Sequence, residues 1–577
     1  MLMLKTFKAI LVALCVGIVI TVSSWAFAQG AGVSGSIKDL SNNQGIQGVI
    51  ITIKDVSAGK LVGTGKTDVL GNYSVSIPAP GKYTLEASRF GYDSVTAPDV
   101  IELSDMTPNR TVNISMRGNK PAAPTSAMSW ETGARKSYLT PALEIPAFLL
   151  LLNGADRLVY PNLVEGGKKV YSTNLSTFWN HVAHGPWGID QDAFAMNQFG
   201  HPYQGSIYHG FARSAGLNFW QSLLYDNAGS FLWETGGETT NPSINDQIAS
   251  GIGGSFFGEA LFRMSNLLIE GGGNNPGFLR KLGAALISPS TGFNRAAFGD
   301  RFKSVFPSRD PAIFWRLQIG ASLNTHLNNQ GSSSANKKTE ATADFSLAYG
   351  LPGKPGYSHT RPFDYFQFES TSLGNSHNPF DDIMIRGLLL GKDYEAGNSY
   401  RGIWGLYGGY DYISPHIFRV SSVHVSFGTT YQWSPSRAVA LQGSVIGGIG
   451  YAAAGNVTQV GERDYHYGVA PRGLVALRII LGNRAMFDST GRAYYLTGIG
   501  GDDPGGREAI DRLNAGFHVR IFGPHALGIN YIASVRDARY PARAPSHQTT
   551  GTVSLVYTLL GDTRFGAVQW RGAADHR

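Results

Sequence analysis

Hydrophobic and polar residues alternate along the C-terminal part of the chain, from about Ile313 to Leu560. In the first segment the apolar positions are Trp315, Leu317, Ile319, Ala321 and Leu323. Because successive side chains of a strand point to opposite faces, this period of two predicts β-strands with one apolar and one polar face. About twelve such segments, each of about ten residues, follow one another, which is typical of a transmembrane β-barrel. A soluble β-sandwich or β-propeller is the alternative, but no internal repeat supports it.

Between Asn197 and Glu270 the apolar residues recur with the period of a helix. The stretch from Ser206 to Tyr225 lacks proline and carries one apolar stripe, formed by Phe211, Ala215, Phe219 and Leu223. This spacing is typical of an amphipathic helical segment. Ser243 is a candidate N-cap of a following helix. Gly254 and Gly258 are four residues apart and would let another backbone approach closely.

The N-terminal part, from about Gly32 to Met116, contains short apolar segments separated by turn residues. Ile50–Ile53, Tyr73–Ile77 and Tyr83–Ala87 have the composition of strands, and Asp68–Gly71 forms a tight turn between two of them. This spacing predicts a small β-sandwich. A Pro- and Ala-rich stretch follows it and predicts a linker.

The first 28 residues have the three parts of a secretory signal peptide. Lys5 and Lys8 precede an apolar run, and Ala26-Phe27-Ala28 supplies the small-residue cleavage site. An uncleaved membrane anchor is the alternative, although the run is short for a spanning helix, which needs about 20 residues. The single cysteine, Cys15, lies in this segment. The mature chain would therefore have no disulfide, no thiol nucleophile and no Cys-bound zinc.

The composition agrees with an outer-membrane barrel. Charged residues make up 15% of the 577 residues and glycine occurs 73 times, whereas soluble domains average roughly 25% charged residues. No stretch of the mature chain is apolar for 18 residues, so membrane-spanning helices are poorly supported. The net charge of +7 is spread along the chain, and no basic stripe predicts nucleic-acid binding. The glycine runs lack the strand–loop–helix context of a phosphate site, so no cofactor is predicted.

The N-terminal segment resembles the carboxypeptidase regulatory-like domain, a transthyretin-like sandwich. The residues that carry the resemblance are Gly35–Asp39, Gly48-Val49, Thr67-Asp68, Gly71–Tyr73, Gly81–Tyr83 and Gly91-Tyr92. Domains of this kind usually carry no chemistry of their own. The resemblance implies a periplasmic module that could contact other envelope proteins.

Polar residues within the helical segment resemble the DUF3943 family. The matching elements occur in order between about Leu158 and Leu268 and are Asn197–Gly205, Arg213, Trp233-Glu234, Glu238, Pro242-Ser243, Asp246 and Gly258-Glu259. The resemblance implies an exported outer-membrane protein of undefined role, and it brings no catalytic assignment.

These polar residues admit a structural interpretation. Burying a charge costs several kcal/mol unless it is paired. Apolar helices carrying Arg213, Glu234, Glu238, Asp246 and Glu259 could fill the barrel lumen and pair there with inward-facing arginines. The candidate partners are Arg316, Arg478 and Arg520.

Two chemical interpretations stay open beside it. The candidate catalytic residues are His201, Glu234, Glu238, Asp246 and Glu259. His201 with Glu234 or Asp246 could form a base–orienter pair, with Ser206, Ser243 or water as nucleophile. A metal site could instead use His201, His209, Glu234, Glu238 and Asp246, whose ligand atoms suit zinc or manganese. No defined motif spacing supports a firm metal site.

The sequence therefore predicts a mainly β protein of the outer membrane, in contact with membrane lipid, whose N-terminal domain lies in the periplasm. We expect a structural or transport-related role, with the helical insert filling or gating the lumen. The alternative is a barrel-embedded hydrolase acting on envelope lipid or glycan, so whether the protein is an enzyme is left open. The expected segments are a signal peptide (1–28), a sandwich (32–117), a linker (118–137), a helical segment (138–312), a barrel (313–561) and a tail (562–577).

Overall fold

The protein is mainly β, with strands making up 49% of the residues that the structure describes. The computed structural model describes residues 31–568 apart from short gaps at 41–42, 69, 90–91, 119–134, 191, 273–275, 299–307, 330–338, 374–379, 416, 437, 457–463, 499–504 and 542. The predicted signal peptide, most of the predicted linker and the residues after 568 lie outside this range. The described residues form two compact units, with the N-terminal strands in one and the helices and barrel in the other.

The N-terminal unit is a β-sandwich, as predicted. Its strands are β1 (Ala31–Asp39), β2 (Ile50–Asp55), β3 (Leu61–Lys66), β4 (Asn72–Ile77), β5 (Gly81–Ser88), β6 (Val95–Thr96), β7 (Ile101–Leu103), β8 (Asn109–Thr111) and β9 (Ile114–Met116). One sheet has the order β4-β1-β8 with β9 also on β1, and the other has β3-β2-β5-β6 with β7 on β5. The Asp68 carboxylate accepts backbone hydrogen bonds from Leu70 and Asn72 at 2.9 and 2.8 Å. This turn directs the Tyr73 ring into the core, where its hydroxyl donates to the Val112 carbonyl.

The middle of the chain is helical. Its α-helices are α1 (Leu139–Val159), α2 (Leu175–His184), α3 (His201–Ser214), α4 (Phe219–Gly236), α5 (Ile244–Asp246), α6 (Gly254–Glu270), α7 (Phe278–Ile287) and α8 (Pro289–Ala297), with π-helical turns at Met196–Gly200 and Gln247–Gly253 and short strands β10 (Val164–Glu165) and β11 (Lys168–Lys169). Among the described residues no helix is both long enough and apolar enough to cross a membrane.

The predicted helical segment is confirmed, but the apolar stripe from Ser206 to Tyr225 lies on two helices. The stripe is divided between α3 and α4, because Gly216 adopts a φ of +86° and Asn218 starts α4 in a capping box with Gln221. Two other local predictions are confirmed. The Ser243 hydroxyl caps α5, and a side chain at Gly254 would come within 2.6 Å of the Gly205 backbone.

The remaining strands form a closed antiparallel barrel of twelve, in which the first strand, β12, pairs with both β13 and the last, β23. They are β12 (Ile313–Asn329), β13 (Thr339–Tyr349), β14 (Phe366–Leu373), β15 (Asp382–Ala396), β16 (Tyr400–Ile413), β17 (Phe418–Trp433), β18 (Val439–Asn456), β19 (Tyr465–Leu481), β20 (Ala485–Gly498), β21 (Arg507–Phe522), β22 (His525–Tyr540) and β23 (Arg543–Leu560). The strand count and the alternation are both as predicted.

Charged side chains from distant strands meet inside the barrel. Arg316 on β12 binds Asp488 on β20 at 2.6 Å. Arg492 on β20 and Arg512 on β21 both bind Asp382 on β15. These strands are not neighbours, so the pairs must cross the lumen. Further crossings are Arg472 to Asp411 at 2.7 Å and Gln548 to the Ile417 carbonyl at 3.2 Å.

The segment after the last strand also enters the lumen. Gln432 donates a hydrogen bond to the Val568 carbonyl at 2.6 Å, and Gln442 donates to the Gly566 carbonyl at 2.7 Å. Phe565 is fully buried in an apolar cluster with Phe314 and inward-facing strand residues. The first part of the predicted tail thus occupies the end of the barrel at which β12 begins.

The helices pack on the outer wall of the barrel. Tyr410 and Tyr412 alternate along β16 with Asp411, which faces the lumen, so both tyrosines face outward. Phe257 of α6 stacks on Tyr410 at 5.8 Å between ring centroids. Phe194, which precedes the first π-helical turn, packs edge-on against Tyr465 at 5.3 Å.

The prediction that the helices fill the lumen is therefore wrong. The alternation correctly separated a polar face from an apolar face on each strand. The lumen is already filled by the polar side chains, and the aromatic rings to which the helices bind lie on the opposite face. Aromatic and aliphatic residues from β13 to β19 form one hydrophobic cluster with the helices.

Candidate functional site

Three of the five candidate residues converge within the helical segment. His201 begins α3, Glu234 lies in the last turn of α4 and Asp246 ends α5. One ligand atom of each lies within 4.8 Å of the other two, and all three side chains are buried. The His201 Nε2 and Asp246 Oδ2 atoms are 3.7 Å apart. We call these three residues the trio.

Two π-helical turns flank the trio. Met196–Gly200 ends directly before His201, and Gln247–Gly253 begins directly after Asp246. A π-helical turn inserts one residue into a helix and re-aims the side chains around it, and such turns are frequent at functional sites. Here they bring side chains from three successive helices to one point.

Hydrogen bonds fix the remaining polar atoms of the trio. The Ser243 backbone N–H donates to Glu234 Oε2 at 2.8 Å. Asn245 Nδ2 donates to Asp246 Oδ1 at 3.0 Å. The Ser250 hydroxyl lies 3.4 Å from His201 Nδ1. Each side chain is therefore held through one polar atom, and the second polar atoms of His201 and Asp246 face each other.

A second polar group connects the trio to the barrel. Asn245 Nδ2 lies 3.0 Å from Asp190 Oδ1, and Asn197 Nδ2 lies 2.5 Å from the same oxygen. The two amides also reach outward-facing barrel hydroxyls, with Asn245 bonded to Tyr467 at 2.8 Å and Asn197 to Tyr465 at 3.0 Å. The position of the helical site is thus fixed by the outer wall of β19.

The charges around the trio are mostly negative. Burial raises the pKa of Asp246 well above its usual range, and the Asp190 and Glu234 carboxylates raise it further. Burial also raises the pKa of Glu234 well above its usual range, and the Glu238 carboxylate is the second cause of this rise. Burial lowers the pKa of His201. Within the described part of the chain, neither Glu234 nor Asp246 forms an ion pair with Lys or Arg.

Glu259 lies in a different environment. Its Oε2 is 2.7 Å from Arg213 Nε and 3.1 Å from His209 Nε2, and its Oε1 is 2.7 Å from Arg263 Nε. Burial opposes ionisation of Glu259, but the two guanidinium groups outweigh it and hold its pKa below the usual range. This carboxylate is neutralised by ion pairs, in agreement with the structural interpretation, although its partners come from the helices.

The arginines expected to pair with the helical carboxylates have other partners. Arg316 binds Asp488 across the lumen. Arg478 donates to Gln442 at 3.2 Å, and Arg520 donates to the Gly523 carbonyl at 3.3 Å. That part of the structural interpretation is wrong, because these side chains lie on the barrel and the carboxylates lie outside it.

The side chains of the other candidates have their own hydrogen-bond partners. Glu238 accepts a hydrogen bond from Thr240 at 3.0 Å. The candidate nucleophiles Ser206 and Ser243 donate to the Tyr203 carbonyl and to Asn245 Oδ1, at 2.6 and 2.7 Å. Sequence reasoning missed the contribution of Tyr465 and Tyr467. The one signal in the sequence was that both tyrosines lie two residues apart in one strand and so face the same side of the barrel wall.

The two kinds of buried carboxylate should differ in their contribution to stability. We expect Glu259→Gln to lower the free energy of unfolding by about 3–5 kcal/mol, because it leaves the Arg213 and Arg263 charges buried without a counter-charge. Glu144→Gln is the matched control. Burial raises the pKa of Glu144 to about 7, and among the described residues its only side-chain bond is to Asn294 at 3.4 Å, so a neutral amide there should cost far less. Urea unfolding of both variants at pH 7 measures the difference, and equal losses would contradict the ion-pair account.

Two family models match the chain. The carboxypeptidase regulatory-like domain matches residues 32–117, and the domain of unknown function DUF3943 matches residues 186–290, which include the whole trio. No curated protein matches the chain.

Several solved structures are similar to parts of the chain. The group B streptococcus pilus 2b backbone protein is 12% identical, and the alignment covers 16% of this chain and 43% of that one, with a TM-score of 0.14. The NanC porin is 10% identical, with 41% of this chain and 98% of that one covered and a TM-score of 0.21. The outer membrane channel DcaP of Acinetobacter baumannii is 8% identical, and the alignment covers 43% of this chain and 96% of that one, with a TM-score of 0.17. In chain order, a carboxypeptidase regulatory-like match thus precedes a DUF3943 match, and a closed twelve-stranded barrel follows.

Proposed function

We propose that this protein is an outer-membrane barrel that serves as an anchor and not as a pore, and that it holds the helical segment against its outer wall in the membrane. The observation that carries the proposal is the closed lumen. Arginine–carboxylate pairs cross it at several levels, and the segment after β23 fills one end.

The outer surface of the barrel supports the membrane location. Its exposed outward-facing residues include Leu323, Leu390, Trp404, Val425, Phe427, Val445, Ile449, Val475, Phe517, Ile529 and Leu555. An exposed apolar surface of this extent is unfavourable in water, whereas an apolar outer band is what a membrane barrel presents to lipid.

The helical segment also exposes apolar side chains. On α1, Leu150 and Leu151 are 76% and 74% exposed, and on α7, Phe278 and Leu279 are 74% and 68% exposed. Since the helices pack on the wall that would otherwise face lipid, we infer that these surfaces contact lipid as well.

The lengths of the connections support a periplasmic N-terminal domain. Four connections at the end where β12 begins and β23 ends are 397–399, 434–438, 482–484 and 523–524, each of two to five residues. Four at the other end are 330–338, 374–381, 457–464 and 499–506, each of eight or nine residues. The exceptions are the long 350–365 connection at the first end and the short connections 414–417 and 541–542 at the other end. Membrane barrels have short periplasmic turns and longer external loops, so we infer that the chain enters the barrel from the periplasm.

The anchor proposal predicts that the barrel does not conduct ions. Purified full-length protein reconstituted in planar lipid bilayers should give no stepwise conductance under conditions in which a general porin does. Fractionation should recover the chain in the outer membrane, with a heat-modifiable mobility on gels. Stable channels in the bilayer, or recovery of the chain in the soluble periplasm, would contradict the proposal.

The lipid contact of the helices can be measured with single spin labels. The only cysteine of the chain is Cys15, in the predicted signal peptide, so Leu150→Cys and Leu279→Cys each introduce one site. In proteoliposomes, both labels should be accessible to oxygen and shielded from a water-soluble nickel chelate. Ile529→Cys on the barrel exterior is the lipid control, and Lys82→Cys in the sandwich is the water control. Labels on α1 and α7 that behave like the one at position 82 would exclude lipid contact.

An envelope hydrolase acting on lipid or glycan is the second candidate function, and the convergence of His201, Glu234 and Asp246 favours it. If it is correct, deletion of the gene should change the lipid or glycan composition of the outer membrane, and expression of the wild-type protein should reverse that change. Glu234→Gln should not reverse it, although the variant should keep its heat-modifiable mobility. Identical compositions in cells with the wild-type, variant and deleted genes would rule out this candidate.

A further inference from the structure

The trio of His201, Glu234 and Asp246 has the ligand set and the spacing of a metal site. We propose that these three residues bind one divalent transition-metal ion, of the class of zinc or manganese. The proposal concerns the helical segment alone and does not depend on whether the barrel is an anchor.

The distances suit a single ion. Zinc binds histidine nitrogen and carboxylate oxygen at about 2.0–2.2 Å, so the ligand atoms of a tetrahedral site lie about 3.4 Å from one another. His201 Nε2 and Asp246 Oδ2 are 3.7 Å apart, and all three ligand atoms fit within 4.8 Å. Small rotations of the side chains would bring them to one ion without movement of the helices.

The surrounding hydrogen bonds leave one ligand atom on each residue. Glu234 Oε2 accepts from the Ser243 backbone, Asp246 Oδ1 accepts from Asn245, and His201 Nδ1 lies beside the Ser250 hydroxyl. Metal ligands are usually oriented in this way by partners of their second polar atom. The remaining His201 Nε2 and Asp246 Oδ2 atoms face each other, and a carboxylate oxygen of Glu234 lies within 4.8 Å of a ligand atom of each of these two residues.

The charge of the cluster favours a cation. Two carboxylates are buried together beside Asp190 and Glu238, and the described residues supply no lysine or arginine to either of them. The same helices provide two arginines for Glu259, so this segment does neutralise a buried carboxylate elsewhere. A divalent ion would supply the missing charge, and imidazole with carboxylate is a ligand set that transition metals bind well.

The direct test is titration of the full-length protein with cobalt. Protein purified in detergent and stripped with EDTA should bind one equivalent of Co²⁺, with visible d–d absorption that Zn²⁺ abolishes. His201→Gln, Glu234→Gln and Asp246→Asn should each weaken Co²⁺ binding by more than about tenfold, since even the loss of an outer-shell partner has an effect of that size.

Glu144→Gln is the matched control, because it makes the same chemical change at a buried carboxylate of the same segment outside the trio. It should bind Co²⁺ within about twofold of the wild-type protein. Absence of a stoichiometric site in the wild-type protein, or unchanged affinity in the three trio variants, would overturn the proposal.

X-ray absorption of the zinc-loaded wild-type protein provides a test that does not depend on whether the variants fold. A coordination shell with one imidazole and otherwise oxygen ligands is expected. A shell with two or more imidazoles would exclude the trio as the site.

Discussion

The pairing of buried charges inside the barrel determines where the helices of this chain lie. The pairs join opposite walls, such as Arg316 with Asp488 and Arg472 with Asp411. A lumen that is closed by such pairs has no room for a helical bundle. The helices therefore occupy the other face of the same strands, where the side chains are apolar and aromatic.

The outer wall of the barrel acts as part of the helical core. Tyr410 donates a hydrogen bond to the Gln198 carbonyl, while Tyr467 accepts from Asn245, so rings on two strands engage the first π-helical turn and α5. Phe256 and Phe363 stack at 6.3 Å between ring centroids, which joins α6 to the β13–β14 connection. The polar trio is buried because the barrel and the helices share one aromatic cluster.

Much of this architecture could be predicted from the sequence. The period-two pattern predicted twelve strands because, in a closed barrel, each strand residue faces either the lumen or the outside. The face that receives the helices could not be predicted in the same way, since alternation distinguishes two faces without saying which is filled. The break at Gly216 was missed because the apolar stripe continues through it. The convergence of His201 with Glu234 and Asp246 depends on contacts between residues far apart in sequence, so the sequence could only nominate them among several candidates.

The segment that follows β23 has a consequence for the order of folding. Its carbonyl groups bind Gln432 on β17 and Gln442 on β18, and Gly566 lies against Phe314 on β12. The inner surface to which it docks exists only once the first and last strands have paired. Docking of residues 565–568 therefore comes after closure and opposes reopening, so that this short segment acts as a latch on the seam between β12 and β23.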